Sequence, residues 1–474
     1  MKIGVVGSGY VGLVAGACFA ELGHEVILVD NDEAKLAELQ RGECPIHEKF
    51  LPELLQRHSG HRLHFTGDLA DAVHRSQLIF IAVGTPPKED GDADLSYVES
   101  VAQNIASAID DYKVVVEKST VPVYTNSWIR KIMLLNGAPA ELFDVASNPE
   151  FLREGSAVAD FMYPDRIVVG ADTERCARLV AEAYQPLVDG SYYLRPNAIP
   201  GRVPGPFNAR LIQTSAKSAE LIKHASNAFL AMKISFVNAV ASVCEAVGAD
   251  VEQVCEGVGS DSRIGRRFLC PGVGYGGSCF PKDLLAFRAV ARENGLQFGL
   301  LEEVAKVNDE QRSRFVRKVK KALWTLKGKK LGVLGLAFKN GTDDVRESPA
   351  LAIIKSLLKE GCVITAYDPA AMERAAQELP KDSVRFASDA YEALKGADAC
   401  LILTEWEDFG ALDLARMRTL LRYPIVVDGR NLFHPAKMEA AGLNYYSVGR
   451  PDVVGGRSDL PLKRYLGLQQ DQAA

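Results

Sequence analysis

The run Gly274-Tyr275-Gly276-Gly277-Ser278-Cys279-Phe280-Pro281-Lys282-Asp283 presents one cysteine as a nucleophile. The glycines allow a tight turn, Ser278 is a good N-cap, and Pro281 falls in the first helical turn, where its missing N–H costs nothing. Cys279 then sits at a helix N-terminus, whose positive end favours thiolate over thiol. Asp283, four residues on, shares its helix face. The bland alternative is a buried cysteine that only packs, and the construction of this loop argues against it.

A second chemical signal opens the chain. Lys2 to Val6 reads as a buried strand, and Gly7-Ser8-Gly9-Tyr10-Val11-Gly12 follows at once. A helical pattern then runs to about Leu22, and Glu25 to Val29 forms a strand ending in Asp30. This is the G-x-G-x-x-G dinucleotide fingerprint in its required context. Gly7 makes the turn, Gly9 lets the backbone approach a pyrophosphate, and Gly12 permits close helix–strand packing. Asp30 is placed to accept hydrogen bonds from the adenosine ribose, and no arginine follows it to hold a 2′-phosphate. NAD is therefore expected rather than NADP.

Other polar residues have spacings that suit a site. Glu150 and Glu154 in Asn148-Pro149-Glu150-Phe151-Leu152-Arg153-Glu154 share a face if that segment is helical, as acid–base work needs; a solvated surface is the alternative. Lys223 and Asn227 lie four apart among apolar neighbours, so they either enter a site or snorkel to the surface. His224 reads as an ordinary helix histidine. Lys339 and Arg346 follow a strand beside a helix start, a plausible anion-binding loop. Arg263 and Arg430 could each grip a phosphate or carboxylate, although either alone is no more than a surface charge.

These groups need elements to hold them. Leu78 to Val83 is a continuous apolar run of the kind buried in a parallel sheet, ending in the Gly84-Thr85-Pro86-Pro87 loop. Val114-Val115-Val116-Glu117 leads into Lys118-Ser119-Thr120-Val121-Pro122, a second loop at the same sheet edge. Residues 88–94 read as an exposed acidic turn, and Asp189 to Phe207 as a surface loop. Apolar residues then repeat at three- and four-residue steps from about Ser218 to Val247, a helix long enough to be a spine between domains or a dimer seam. More helix is expected from Leu284 to about Leu326. Strands restart at Lys330, with others ending in Asp368, Thr404 and Asp428, a quasi-repeat of the first sheet without its glycine fingerprint. The expected fold is α/β, with two Rossmann-like, doubly wound parallel-sheet domains joined by a long central helix and a helical middle domain. The expected boundaries are 1–205, 206–326, 327–450 and a loosely ordered tail, 451–474.

Composition narrows the class. The chain has 474 residues, 47% of them hydrophobic and 24% charged, which suits a globular protein of two or three domains. A net charge of −6 argues against general nucleic-acid binding. Nine cysteines, scattered without paired spacing, make neither a disulfide framework nor a zinc site and fit a reducing cytoplasm. No signal peptide is evident and no apolar run is expected to span a membrane.

Across nearly its whole length the chain resembles the UDP-glucose 6-dehydrogenases, most specifically in GSGYVG, EKSTVP, NPEFLREG, SAELIKHASNAF, PGVGYGGSCFPKD and GLAFKNGTDDVRES. The resemblance implies oxidation of the sugar C6 alcohol to a carboxylate with two NAD⁺. Cys279 would form first a thiohemiacetal and then a thioester, which water hydrolyses. Lys223 and Asp283 would assist proton transfer, with Asn227, Glu150 and Thr120 nearby. Implied cofactor contacts, beyond Gly7, Gly9, Gly12 and Asp30, are Tyr10, Val11, Lys35, Thr85, Thr120, Glu154, Lys282 and Arg346. Implied nucleotide-sugar contacts are Phe151, Leu152, Arg153, Lys223, Asn227, Phe268, Leu269, Gly276, Lys339 and Arg430, with Arg263 reaching a neighbouring subunit's substrate. A homodimer or larger homo-oligomer is implied. The loop over 192–217 is longer than the family pattern suggests. Sister families acting on GDP-mannose or UDP-N-acetylhexosamines share the fold and the cysteine. A one-step dehydrogenase of 3-hydroxy acids would need neither Cys279 nor a second sheet, and a non-catalytic NAD sensor would leave Cys279, Lys223 and Asp283 apart in space.

Overall fold

The computed structural model describes residues 1–86, 88, 93–201 and 207–454. Most of the expected acidic turn over 88–94 and the tail from 455 onward lie outside the described residues. The chain sorts into two compact units. One comprises Met1–Phe229 with Cys279–Leu301, and the other Leu230–Ser278 with the chain from Glu302 onward.

The first unit is built on an eight-stranded sheet. Its strands are β1 (Lys2–Val6), β2 (Glu25–Val29), β3 (Leu63–Thr66), β4 (Leu78–Ile81), β5 (Lys113–Glu117), β6 (Phe143–Ser147), β7 (Ile167–Ala171) and β8 (Leu211–Thr214), in the order β3-β2-β1-β4-β5-β6-β7-β8. β1 pairs in register with β2 through Val5↔Leu28 and with β4 through Val5↔Phe80. Ile3, Val5, Leu78 and Phe80 are wholly buried, as a sheet covered on both faces requires. The sheet is not parallel throughout, because β7 runs antiparallel to β6 and carries β8 with it. The strand order reverses between β1 and β4, so the turns after β1, β4 and β5 open onto one crevice at the carboxyl edge.

The second unit holds a six-stranded parallel sheet. Its strands are β9 (Lys330–Leu334), β10 (Val363–Tyr367), β11 (Val384–Phe386), β12 (Ala399–Ile402), β13 (Ile425–Asp428) and β14 (Asn444–Ser447), in the order β11-β10-β9-β12-β13-β14. The repeat of the first sheet extends to its turns. Gly335 N–H donates to the Tyr367 carbonyl (2.9 Å) as Gly7 N–H does to that of Val29 (2.8 Å).

Two further expectations need correction. Residues 191–199 are not a mere surface loop. Tyr192 is wholly buried, its hydroxyl accepts from Ile199 N–H (2.7 Å), and Arg195 donates to the carbonyls of Glu21 and Leu22. The helix expected over 284–326 is two, Phe280–Glu293 and Gly299–Leu323. Asn294 and a left-handed Gly295 (φ +72°) end the first, a common helix stop. The long helix, Ala216–Val247, forms as its periodicity requires. Its length and composition alone would suffice to cross a membrane, but it is no uninterrupted apolar run, and its Glu220, Lys223 and Asn227 are buried and hydrogen-bonded within the protein.

Candidate active site

Three elements of the first unit converge on a buried polar cluster. Lys223, on the long helix, is 3% exposed and donates to Glu150 Oε1 at 2.9 Å. Burial alone would lower the lysine pKa, but Glu150, Asp283 and Cys279 together hold it raised. Burial would likewise raise Glu150, yet the Lys223 charge and the Leu152 amide hold its pKa below the ordinary value. The pair is therefore ionised. One turn along the same helix, Asn227 Nδ2 donates to Asp283 Oδ2 at 2.5 Å, while the buried Asp283 Oδ1 accepts no hydrogen bond among the described residues and stands 3.6 Å from Lys282 Nζ. Cys279 is half-buried and is itself the N-cap of Phe280–Glu293, with Pro281 in the first turn. Ser278 is thus not the cap, and the thiol sits one step closer to the helix dipole than its spacing suggested.

The neighbouring loops belong to the same unit. The Thr120 carbonyl accepts from Thr85 Oγ1 (2.9 Å) and from Lys282 Nζ (3.4 Å), and Lys282 also donates to Thr85 Oγ1 (3.0 Å). Phe151 lies under the Arg166 guanidinium at 3.6 Å and within 5.5 Å of Lys223 Nζ. Leu152 N–H is spent on Glu150, and Arg153 is engaged by Asp160. Residues 148–156 are not helical, so Glu150 and Glu154 do not share a helix face. Pro149 and a left-handed Gly155 (φ +78°) keep the segment irregular. Instead Glu150 faces Lys223, while Glu154 acts electrostatically on Tyr10.

The glycine turn fits a dinucleotide. A Cβ on Gly12 would stand 1.8 Å from the Gly7 carbonyl oxygen, so only glycine allows this helix to start so close to β1. A Cβ on Gly9 would meet nothing, which leaves open space for a phosphate at the helix N-terminus. Val11 follows Tyr10 in the first turn of that helix. Asp30 Oδ2 accepts from Ser8 N–H and Oγ–H, Oδ1 accepts only from Asp32 N–H, and Lys35 stands 3.9 Å away. Capacity remains on Oδ1 for a ribose hydroxyl. Its counterpart Asp368 is wholly buried and already accepts five hydrogen bonds, from Leu336, Ala337, Ala370, Ala371 and Trp406. The second sheet therefore has the turn of the first but no free carboxylate for a ribose.

In the second unit, Arg430 follows β13 and spans carbonyls of Leu403 (2.9 Å) and Phe338 (2.8 Å), with Glu405 at 3.1 Å. A Cβ on Gly277 would enter the Phe338 ring at 2.8 Å, and one on Gly276 would stand 2.2 Å from the Glu347 carbonyl. The paired glycines are what let the loop before Cys279 lie against residues 338–347. Lys339 Nζ lies 5.5 Å from the Phe338 ring. Arg346 is half in solvent and bound to Asp344 through its Nε and Nη2, so its charge is already answered. Leu269 is buried and Phe268 takes a left-handed backbone (φ +67°). Arg263 is 86% exposed and paired with Asp261. His224, read as ordinary, is a buried residue bonded to the Val121 carbonyl (2.6 Å).

Sequence reasoning passed over three residues. Glu220 accepts from the amides of Tyr124 and Asn126 and so tethers the loop after Thr120. Glu48 receives the Tyr10 hydroxyl, which in turn accepts from Gly155 N–H. No local pattern marks either. Lys118 is buried in the core, and the charged pair closing a run of valines was a readable signal for it.

Models of the UDP-glucose/GDP-mannose dehydrogenase family match the chain in three parts: the NAD-binding domain over residues 1–188, the central domain over 217–310 and the UDP-binding domain over 332–435. The chain is 46% identical to the UDP-glucose 6-dehydrogenase TuaD of Bacillus subtilis (strain 168), covering 100% of this chain and 98% of the relative. It is 45% identical to a UDP-glucose 6-dehydrogenase of Rhizobium meliloti (strain 1021), covering 95% and 100%. Among solved structures, a UDP-glucose dehydrogenase from the hyperthermophilic archaeon Pyrobaculum islandicum superposes with a TM-score of 0.84 at 38% identity, covering 95% of this chain and 98% of that one. A UDP-D-ManNAc dehydrogenase from Pyrococcus horikoshii superposes at 0.79 with 27% identity, covering 96% and 100%.

Proposed function

The chain belongs to the UDP-glucose/GDP-mannose dehydrogenase family, and from that membership we propose that it oxidises UDP-glucose at C6 to UDP-glucuronate, using two NAD⁺ in turn and Cys279 as its nucleophile. The observation that carries the reading is the buried Lys223, ionised against Glu150 and facing the negative charges of Asp283 and Cys279. A non-catalytic protein has no need to gather a buried cation, a carboxylate oxygen that accepts no hydrogen bond and a helix-terminal thiol. Relatives at 45–46% identity bearing the name UDP-glucose 6-dehydrogenase support glucose over the sister sugars.

Each side chain has a task suited to its surroundings. Asp283, through the oxygen that accepts no hydrogen bond, takes the proton of the C6 hydroxyl as hydride leaves C6 and the aldehyde forms, releases that proton to solvent, and later takes one from the hydrolysing water. The Cys279 thiolate adds to the aldehyde carbon, and Lys223 stabilises the oxyanion that forms. Loss of hydride converts the thiohemiacetal to a thioester. Water then attacks the carbonyl, the carbon–sulfur bond breaks, and the thiolate leaves with its electron pair. Asn227 holds Asp283 in place throughout. NAD⁺, when bound at the Gly7–Gly12 turn with Asp30 on its ribose, supplies the hydride acceptor for each oxidation.

Thr85, Thr120, Lys282, Tyr10, Lys35 and Glu154 serve the cofactor in this reading. By the family resemblance Arg346 also serves the cofactor, and Phe151, Leu152, Arg153, Phe268, Leu269, Gly276, Lys339 and Arg430 serve the nucleotide sugar. The protein works in the cytoplasm, consistent with nine free thiols, and as a homo-oligomer. The test is NAD⁺ reduction against a panel of nucleotide sugars, with NADH counted per acid formed. Two NADH per UDP-glucuronate, preference for UDP-glucose and weak use of NADP⁺ are expected. One NADH per product, or faster turnover of GDP-mannose or a UDP-N-acetylhexosamine, overturns the assignment.

A further inference from the structure

Lys118 is the first residue after β5 and carries its ammonium into the first unit's core, where the residue is 3% exposed. Its Nζ donates to Asn148 Oδ1 (3.0 Å) and Tyr184 Oη (3.2 Å), and the rings of Phe80, Phe161 and Tyr184 stand 5.8–5.9 Å away. Asn148 is the first residue after β6 and heads the irregular segment that ends at Ser156. Its Oδ1 also accepts from the Tyr184 hydroxyl (2.6 Å), its Nδ2 donates to the Val168 carbonyl (2.7 Å), and its N–H to the Glu117 carbonyl (2.8 Å). Glu150, the partner of Lys223, follows two residues later.

We infer that Lys118 is a positioning residue for the oxidation, its buried cation fixing Asn148 and helping to hold Glu150 ionised against Lys223. This inference rests on the proposed function. A carboxylate answered only by Lys223 would share one cation. Lys223 and the Leu152 amide do most to keep Glu150 charged, and the Lys118 cation adds a smaller share in the same direction while its bond to Asn148 fixes the start of the segment that carries Glu150. The residue is a poor choice for stability alone. Burial pushes its pKa down to about 8, so the fold disfavours the charge it contains. A buried cation retained against that cost, when an apolar side chain would pack as well, points to a task outside folding. The charged and titratable groups acting on it are Glu117, Glu150, Lys223 and Cys18.

The test compares wild type with Lys118→Met, measuring kcat, KM for NAD⁺ and for UDP-glucose, and melting temperature. The expected result is a kcat lowered about tenfold, KM for NAD⁺ within a factor of about two, and an unchanged or higher melting temperature. A kcat equal to wild type overturns the inference. So does a fall of kcat together with melting temperature and cofactor affinity, which a packing role alone would produce. If Lys118→Met does not fold, Tyr184→Phe keeps the ring and deletes both the hydrogen bond its hydroxyl donates to Asn148 and the one it accepts from Lys118. It is expected to lower kcat about threefold at constant KM for NAD⁺, and an unchanged kcat overturns the inference. Wild-type enzyme that makes no UDP-glucuronate refutes the proposed function instead, so the two failures are distinct.

Discussion

At the scale of single residues, the proposed chemistry rests on Cys279, which the structure places at a helix N-terminus, where the dipole favours a thiolate. Serine in place of Cys279 keeps the N-cap position and nearly the same volume, but its hydroxyl does not ionise near neutral pH. Cys279→Ser is therefore expected to lower formation of UDP-glucuronate by on the order of 10³-fold or more, with NAD⁺ affinity and melting temperature unchanged. Near wild-type conversion by this variant, followed by chromatography of the acid, would remove the nucleophile from the mechanism. The pairing of Lys223 with Asn227 was readable because a four-residue step on a helix places both on one face. The contact from Asn227 to Asp283 was not, since the two lie on different helices 56 positions apart.

At the scale of elements, loops are held by side chains from distant parts of the fold. The helix Thr125–Leu135 begins after Tyr124, whose left-handed backbone (φ +84°) gives no cap of its own. Glu220 of the long helix supplies one, accepting from Tyr124 and Asn126 N–H at 2.8 Å each. Burial outweighs those two bonds and pushes the Glu220 carboxyl up to about 6, from an ordinary 4.5. A raised carboxyl means the folded protein binds the proton more tightly than the unfolded chain. Its contribution is complete below about pH 4.5 and is lost as pH rises through about 6, amounting to about 2 kcal/mol. Relative to Glu220→Gln, wild type should lose urea resistance between about pH 4.5 and pH 7. Parallel urea midpoints for the two proteins across that range would contradict the assignment. The segment 148–154, whose two glutamates would share a face only as a helix, is irregular for the same physical reason. Pro149 and Gly155 remove local helical preference, and bonds from Lys118, Tyr184 and Tyr10 decide the conformation instead.

At the scale of the whole molecule, the long helix leaves an apolar stripe uncovered. Leu221, Phe229, Phe236, Val243 and Val247, at steps of eight, seven, seven and four residues, are between 42% and 71% exposed. An apolar face of this length suits an interaction surface, and we propose that a second copy pairing about a twofold axis covers it. Phe236 is exposed, so a charge there should not disturb the core. Phe236→Glu is expected to shift the mass seen by light scattering from a dimer or larger assembly toward monomer, with unchanged circular dichroism. A wild-type protein that is monomeric and fully active at assay concentration would leave the stripe without this role and Arg263 without a neighbour to reach.

The glycine turn, the Asp30 that follows it, the two sheets and the long helix were determined by the sequence itself, because each is encoded in a local period or a short spacing. Family resemblance in the cysteine loop was equally local. The tertiary structure alone decided which carboxylate faces Lys223, that Cys279 rather than Ser278 caps its helix, and that Asp368 is saturated while Asp30 is not. Those outcomes depend on burial and on hydrogen bonds between residues far apart in the chain, where desolvation sets the charge of each group and no sequence period records its partner.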